Sequence, residues 1–233
     1  MGTPAVSVIL PVYNEERILE RNVKRLAETL EAGGIGYEII ISEDGSTDNT
    51  AAIAHSLESE KIRIIHEKKR AGKGTAIRNA ASAATGEVVI FMDADLSSDV
   101  KHIEELMEVM GEGADIAIGS RYLKKSRARR NRVRHFASKS FNFLVRLLLG
   151  SKLRDHQCGF KAFRKKSVLP IIDRIENKEW FWDAELLVRA QRKGLKIEEI
   201  PIEWKEAPDS KFRLLDDTLH MAYSLLSFKL KNG

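Results

Sequence analysis

A chain of 233 residues, 43% of them hydrophobic, can bury a full core without a disulfide or a structural metal. Its single cysteine, Cys158, excludes an internal disulfide and suits a reducing compartment. The net charge of +5 hides a division: residues 1–120 carry 12 Lys and Arg against 21 Asp and Glu, and residues 121–233 carry 27 against 13.

Val6 to Val12 is a short apolar run stopped near Pro11, the profile of a buried parallel strand. Glu15 to Ala32 places Ile18, Leu19, Val23, Leu26 and Leu30 at helical spacing. Tyr37 to Ile41 reads as a second strand, and Asp44 to Asp48 as a turn that opens a helix over Asn49 to Ser59. Ile62 to His66 is a third strand, Thr75 to Ala84 an alanine-rich helix, and Glu87 to Met92 a fourth strand. Val100 to Met110 reads as a helix and Asp115 to Gly119 as a fifth strand. The alternation predicts an α/β fold, a mostly parallel Rossmann-like sheet with helices on both faces. Further on, Phe136 to Leu149 and Trp182 to Lys193 read as helices, Lys196 to Trp204 as a strand, and Leu214 to Lys231 as an amphipathic helix. The expected organisation is one catalytic domain over 1–212 and a C-terminal amphipathic helix over 213–233. No run of about 18 apolar residues is present, so no spanning helix is expected. Met1 to Pro4 leads into the first strand without a basic leader, so a cytoplasmic chain is expected, soluble or peripheral to a membrane.

Open α/β sheets bind ligands beyond the carboxyl ends of their strands. Four strand ends carry unusual polar content: Pro11 to Glu16, Ser42 to Ser46, Asp93 to Asp95, and Gly119 to Tyr122. In Asp93-Ala94-Asp95, two carboxylates follow abruptly on a nearly all-apolar strand. Such a pair repels itself unless a cation lies beside it, and hard oxygen ligands suit Mg²⁺ or Mn²⁺. A metal there would neutralise charge on a departing diphosphate. The alternative is that Asp95 merely caps the next helix.

Residues Val6 to Glu16, the Glu43-Asp44-Gly45-Ser46-Thr47-Asp48 turn and Asp93-Ala94-Asp95 resemble the family 2 glycosyltransferases of GT-A fold. Arg70 to Arg78, Arg154 to Lys161 and Trp180 to Leu187 narrow the match to the dolichyl-phosphate β-glucosyltransferases and, less closely, the dolichyl-phosphate mannose synthases. The likeness runs from about Val6 to Lys211, and it implies roles position by position. Pro11, Tyr13 and Glu15 would line the nucleoside pocket, with Asp44 reading the base and Ser42 beside it. Asp93 and Asp95 would hold the metal and the diphosphate, with the Ala94 backbone nearby and Lys73 in the nucleotide-binding set. Arg121 and Arg134 would face the diphosphate and an incoming lipid phosphate, and Lys205 and Lys211 would close over the donor. Asp155 and Asp183 are candidates for sugar binding or base work, although Asp183 also fits a helix cap. Glu43-Asp44 stands where the family often has Asp-Asp, and Ser97 where some mannose synthases have a metal-binding Gln, which leaves the third ligand open.

Two rival motifs weaken on inspection. Arg70 to Arg78 fails as a phosphate-binding P-loop, because that motif needs a glycine where Glu67 stands and a Ser or Thr where Gly74 stands. Arg121 to Arg134 holds eight basic residues and no acidic one, but only Tyr122 is aromatic, which argues against a nucleic-acid arm. A phosphate-collecting loop fits better. The resemblance therefore implies an inverting, metal-dependent transfer of a hexose from a nucleotide sugar to dolichyl or polyprenyl phosphate. UDP-glucose is the expected donor, with GDP-mannose the alternative. The helices over Phe136–Leu149 and Leu214–Lys231 would meet the cytoplasmic face of a membrane. A sugar-nucleotide-binding protein without turnover is a second reading, against which the intact Asp93, Asp95, Arg121 and Arg134 argue.

Overall fold

A computed structural model describes residues 4–207 and 214–232, with side-chain detail in the last helix from residue 219 onward. In chain order the elements are β1 (Val6–Val12), α1 (Leu19–Ala32), β2 (Tyr37–Asp44), α2 (Thr50–Ser56), β3 (Ile62–Glu67), α3 (Lys73–Ala83) and β4 (Val88–Met92). A 3-10 turn (Val100–His102) leads into α4 (Ile103–Gly111), then β5 (Ile116–Ser120), β6 (Arg127–Arg129) and α5 (Arg132–Leu149). The chain closes with β7 (Phe160–Arg164), α6 (Lys165–Ile172), α7 (Trp182–Arg192), β8 (Ile197–Pro201), β9 (Glu203–Lys205) and α8 (Leu214–Asn232).

Seven strands form one sheet in the order β3-β2-β1-β4-β7-β5-β8. All neighbours run parallel except β7, which lies antiparallel between β4 and β5. Alternate residues of the central strands feed two cores. Val8, Leu10, Ile39, Ile41 and Ile90 face α1 and α4, and Ile9, Ile40, Val89 and Phe91 face α3, α6 and α7. A third cluster joins α5, α7 and α8 through Phe141, Val145, Phe181, Val188, Met221, Leu225 and Phe228. The C-terminal helix is thus docked on the body.

Several sequence expectations need correction. β2 runs on to Asp44, because Ser42, Glu43 and Asp44 are buried and their polar groups are met within the protein. α1 starts at Leu19 rather than Glu15, since the Glu15 N–H donates to Thr50 Oγ1 at 2.7 Å and the Glu16 carboxylate accepts from Asn49 N–H. The stretch Lys196–Trp204 is two strands in two sheets: β8 pairs with β5, and β9 pairs with β6. β6, β7 and α6 were not expected at all. Phe160–Arg164 carries a buried lysine, Lys161, as its second residue, and α6 contains Pro170, so neither shows a clean periodic signal.

Candidate active site

The loops after β1 and β2 are stitched together. Asn14 adopts a left-handed φ of 55°, its N–H donates to Ser46 Oγ at 2.9 Å, and its Oδ1 accepts from Thr47 N–H at 2.7 Å. Tyr13 is half-buried with the Arg70 guanidinium 4.7 Å from its ring centroid. Pro11 and Glu15 are likewise half-buried on this rim. Ser42 turns inward and donates to the Ala76 carbonyl at 3.0 Å. Asp44 accepts from the N–H groups of Ala71 and Gly72 at 2.7 and 3.0 Å, which fixes the loop that starts α3. Glu43, the longer arm in the expected Asp-Asp position, reaches His66 Nδ1 at 2.5 Å and the Ser46 N–H at 2.6 Å. Its extra methylene spans to β3.

Gly72 has φ 96° with the Lys178 carbonyl over it, and a Cβ on Gly74 would strike the Trp182 ring. These close approaches bring Lys73 into the mouth of the crevice. Its ammonium donates to Asp93 Oδ1 at 2.7 Å and lies 5.6 Å from the Trp180 ring centroid. Burial opposes its charge, but Asp93 foremost, then Asp183 and Asp95, raise its pKa above the usual lysine value. Asp93 itself leaves no room beside it: a Cβ on Gly159 would overlap its carboxylate, and its N–H donates to the Gly159 carbonyl at 2.9 Å. Burial and then the charge of Asp93 raise the pKa of Asp95, whose Oδ1 accepts from Ser97 N–H at 2.9 Å. The buried Ala94 carbonyl accepts from Asn22 Nδ2 at 2.8 Å.

This donor set suits a hard divalent cation. Two carboxylates whose charges oppose one another stand at a strand end, with one of them offset by a single ammonium. Among the described residues no group of three His, Cys, Asp or Glu side chains converges, so the protein would supply two acidic ligands. Ser97, nine-tenths buried beside Asp95, is the nearest further oxygen on that loop.

The expected phosphate-facing arginines are both paired. Arg121 donates through N–H and Nε–H to Asp155 Oδ2 at 3.0 and 2.7 Å, and through Nη2 to Oδ1 at 2.8 Å. Burial would raise the Asp155 carboxyl, yet Arg121 outweighs it and holds the pKa down to about 2. A fully buried carboxylate so engaged is a poor base. Arg134 pairs with Glu206, which also accepts from Asn131 N–H at 2.8 Å. Asp183 caps no helix end: it is buried in the first turn of α7, and its Oδ1 accepts from Lys161 Nζ at 2.6 Å. Lys205 is exposed, with its N–H on the Ser97 carbonyl at 2.8 Å. Lys211 lies outside the described residues. Sequence reasoning missed Gly159 as the partner of Asp93 and Lys161 as the counterion of Asp183. Both stand in the Gln157-Cys158-Gly159-Phe160-Lys161 stretch, so the signal was there without its geometry.

A family model described as "Glycosyl transferase family 2" matches residues 7–170. Glycosyltransferase AglD of Haloferax volcanii is 44% identical over 95% of this chain, which spans 36% of that protein. The dolichyl-phosphate beta-glucosyltransferase of Saccharomyces cerevisiae is 33% identical over 97% of this chain and 74% of its own length. Among solved structures, glucosyl-3-phosphoglycerate synthase from Mycobacterium tuberculosis, in complex with Mn²⁺, UDP and phosphoglyceric acid, superposes with a TM-score of 0.73 at 23% identity. That match covers 98% of this chain and 78% of the other, and it places the fold among the GT-A glycosyltransferases.

Proposed function

Since the chain belongs to glycosyl transferase family 2, we propose that it transfers glucose from UDP-glucose to a dolichyl or polyprenyl phosphate. The observation that carries this reading is the meeting of an acidic strand end with a basic segment. Asp93 and Asp95 stand with Lys73 at the end of β4, and the basic segment between β5 and α5 is tied to the same loop, because its β6 pairs with β9 and the Lys205 N–H at the end of β9 donates to the Ser97 carbonyl. The relatives named as dolichyl-phosphate beta-glucosyltransferases support the acceptor and the sugar.

The residues act by position and charge. Asp93 and Asp95 would hold a Mg²⁺ or Mn²⁺ ion, which supplies Lewis-acid stabilisation to the leaving diphosphate when bound. Lys73, held in the mouth of the crevice, adds a fixed positive charge beside the same group. The Tyr13–Arg70 pair and the Asp44-anchored loop shape the nucleoside side. A phosphate monoester is already anionic at neutral pH, so its oxygen attacks without a strong general base. Asp155 and Asp183, each engaged by a cation, then serve as positioning residues that set Arg121 and Lys161. Direct displacement inverts the anomeric centre.

No helix among the described residues is long and apolar enough to cross a membrane. Phe136, Phe143, Leu144 and Leu147 of α5 are exposed, as are Leu219, Tyr223, Leu226 and Leu230 of α8, whereas Phe141 is buried. Lys139, Arg146, Lys229 and Lys231 accompany them. These two packed helices form the surface that lies against the cytoplasmic face of a membrane, the peripheral arrangement of a basic amphipathic face.

A panel of radiolabelled UDP- and GDP-sugars with one polyprenyl phosphate tests the reading. UDP-glucose is expected to give the highest kcat/KM. A higher value for GDP-mannose overturns the donor assignment, and binding without any transfer favours a non-catalytic sugar-nucleotide-binding protein.

A further inference from the structure

Asp155 holds Arg121 with its whole carboxylate. Its Oδ2 accepts from the Arg121 N–H and Nε–H at 3.0 and 2.7 Å. Its Oδ1 accepts from Arg121 Nη2 at 2.8 Å and from the Gln157 N–H at 3.2 Å. Those bonds fill the acceptor capacity of a carboxylate and lock the guanidinium to it in a fork. Of the Arg121 guanidinium nitrogens, only Nη1 has no acceptor among the described residues. The direction in which Arg121 points is therefore set by where the Asp155 main chain lies.

No regular element fixes that main chain. Residues 151–159 run without helix or strand between α5 and β7, and backbone N–H groups in such a segment need acceptors from elsewhere. Glu199 of β8 supplies two. Its Oε2 accepts from the Arg154 N–H at 2.9 Å and its Oε1 from the Asp155 N–H at 3.1 Å. Each oxygen serves a different N–H, so the position calls for a carboxylate; a glutamine would turn its own NH₂ toward one of the two donors. Burial foremost raises the Glu199 pKa, against the Arg154 and Asp155 N–H groups that favour the ionised form. The sheet puts the residue in reach: Glu199 pairs with Ile118 of β5, the strand that leads through Ser120 into Arg121. The far end of the segment is tied down separately, by the Asp93 N–H on the Gly159 carbonyl.

We propose that Glu199 is a positioning residue of the transfer reaction: its carboxylate fixes the Arg154–Asp155 main chain, and through it the angle at which Arg121 is presented to phosphate. This rests on the transfer proposed above, with Arg121 as one of its phosphate-facing groups. Glu199 acts at one remove, since it bonds the backbone that carries Asp155 and not the guanidinium itself.

Two measurements test this, one of them without turnover. The Arg121 Nε–H signal in nuclear magnetic resonance, assigned through its loss in Arg121→Lys, reports the fork directly. In Glu199→Gln it should exchange with solvent about tenfold faster or more, the effect of one buried hydrogen bond lost. Glu199→Asp, which keeps the charge and shortens the arm, should fall between. Equal exchange in wild type and Glu199→Gln overturns the proposal, whatever the protein transfers. In the activity arm, with UDP-glucose and farnesyl phosphate, Glu199→Gln should lower kcat/KM by about tenfold. UDP affinity by isothermal titration should stay within about twofold. In an Arg121→Lys background the same substitution should cost less than about threefold, because its effect runs through the guanidinium. An equal cost in both backgrounds, or UDP affinity that falls along with kcat/KM, makes Glu199 a structural residue only and overturns the proposal. Wild-type protein that transfers no sugar from any donor overturns the proposed function instead, and the exchange rates still decide whether Glu199 sets Arg121.

Discussion

The donor side and the acceptor side of this molecule satisfy their buried carboxylates by different means. On the donor side, Asp44, at the carboxyl end of β2, is met by the backbone N–H groups of Ala71 and Gly72. On the acceptor side, Asp155 and Asp183 are met chiefly by whole charges, Arg121 and Lys161. Backbone donors shape loops and leave the local charge negative, which suits a cation and a diphosphate. Buried ion pairs leave a neutral frame beside the basic segment of residues 121–134. We read the division between an acidic first half and a basic second half as a division of labour between the two proposed substrates.

The sharpest way to break this comparison is at Lys161. Both partners of its pair are almost fully buried, and the lysine also donates to the Cys158 carbonyl. Lys161→Met leaves Asp183 as an uncompensated buried charge and should cost about 3–5 kcal/mol of stability in urea unfolding. Adding Asp183→Leu should restore a large part of that loss, because the stranded charge is gone. If the double variant is stable and still transfers sugar, Asp183 positions and does no base chemistry. A stable but inactive double variant would give it a direct role.

The donor side is tested at the metal. Asp95→Asn removes one of two facing carboxylates and should lower turnover by about 10² or more, with smaller change in fold stability. EDTA should inactivate the wild type, and Mg²⁺ or Mn²⁺ should restore it. Mn²⁺ binding followed by electron paramagnetic resonance gives a second readout: the variant should bind the ion more weakly in the presence of UDP. Full activity in chelator would remove the metal from the reading.

How far these two sides could be read in the sequence differs in the same way. β1 to β5 announce themselves as apolar runs ending in turn residues, and the acidic pair at 93 and 95 follows directly on a strand. These strand ends are contiguous in the sequence, so local signals find them, although the contacts that shape the rim, such as Asn14 with Ser46 and Asp93 with Gly159, are not local. On the acceptor side the decisive contacts join residues far apart in the chain: Arg121 to Asp155, Lys161 to Asp183, Arg134 to Glu206. No periodicity reports such pairs. Lys161 interrupts the apolar pattern of β7, so the stretch does not read as a strand, and the buried Asp183 and the Cys158 carbonyl together make that lysine tolerable. The family resemblance put Arg121 and Arg134 in contact with phosphate, but it could not say that each is held by a carboxylate. That depends on where Glu206, at the far end of β9, comes to lie.

The smallest expected effect lies between the two sides, at His156. The ring is fully buried, with Nδ1 on Asn142 Oδ1 at 2.7 Å and Nε2 on Ser151 Oγ at 2.7 Å. Asn142 Nδ2 donates to the Ser138 carbonyl, so its Oδ1 is the acceptor and Nδ1 carries the proton. Nε2 then accepts from the Ser151 hydroxyl, an arrangement that a second ring proton would break. Burial lowers the His156 pKa to about 4 from an ordinary value of 6.5. The unfolded chain therefore takes up this proton first as pH falls. Its contribution to stability is intact above pH 6.5 and is lost progressively as the pH drops from there toward 4. Between pH 7 and 5.5 the loss from this group should be about 1 kcal/mol. Urea unfolding at the two pH values checks it, with His156→Gln as the reference that cannot titrate. The wild type should lose more stability than the variant over that interval, while UDP affinity of the two changes in parallel. An equal pH dependence in both proteins would mean that the ring is protonated in place, and that the frame between donor and acceptor sides tolerates a charge it is built to exclude.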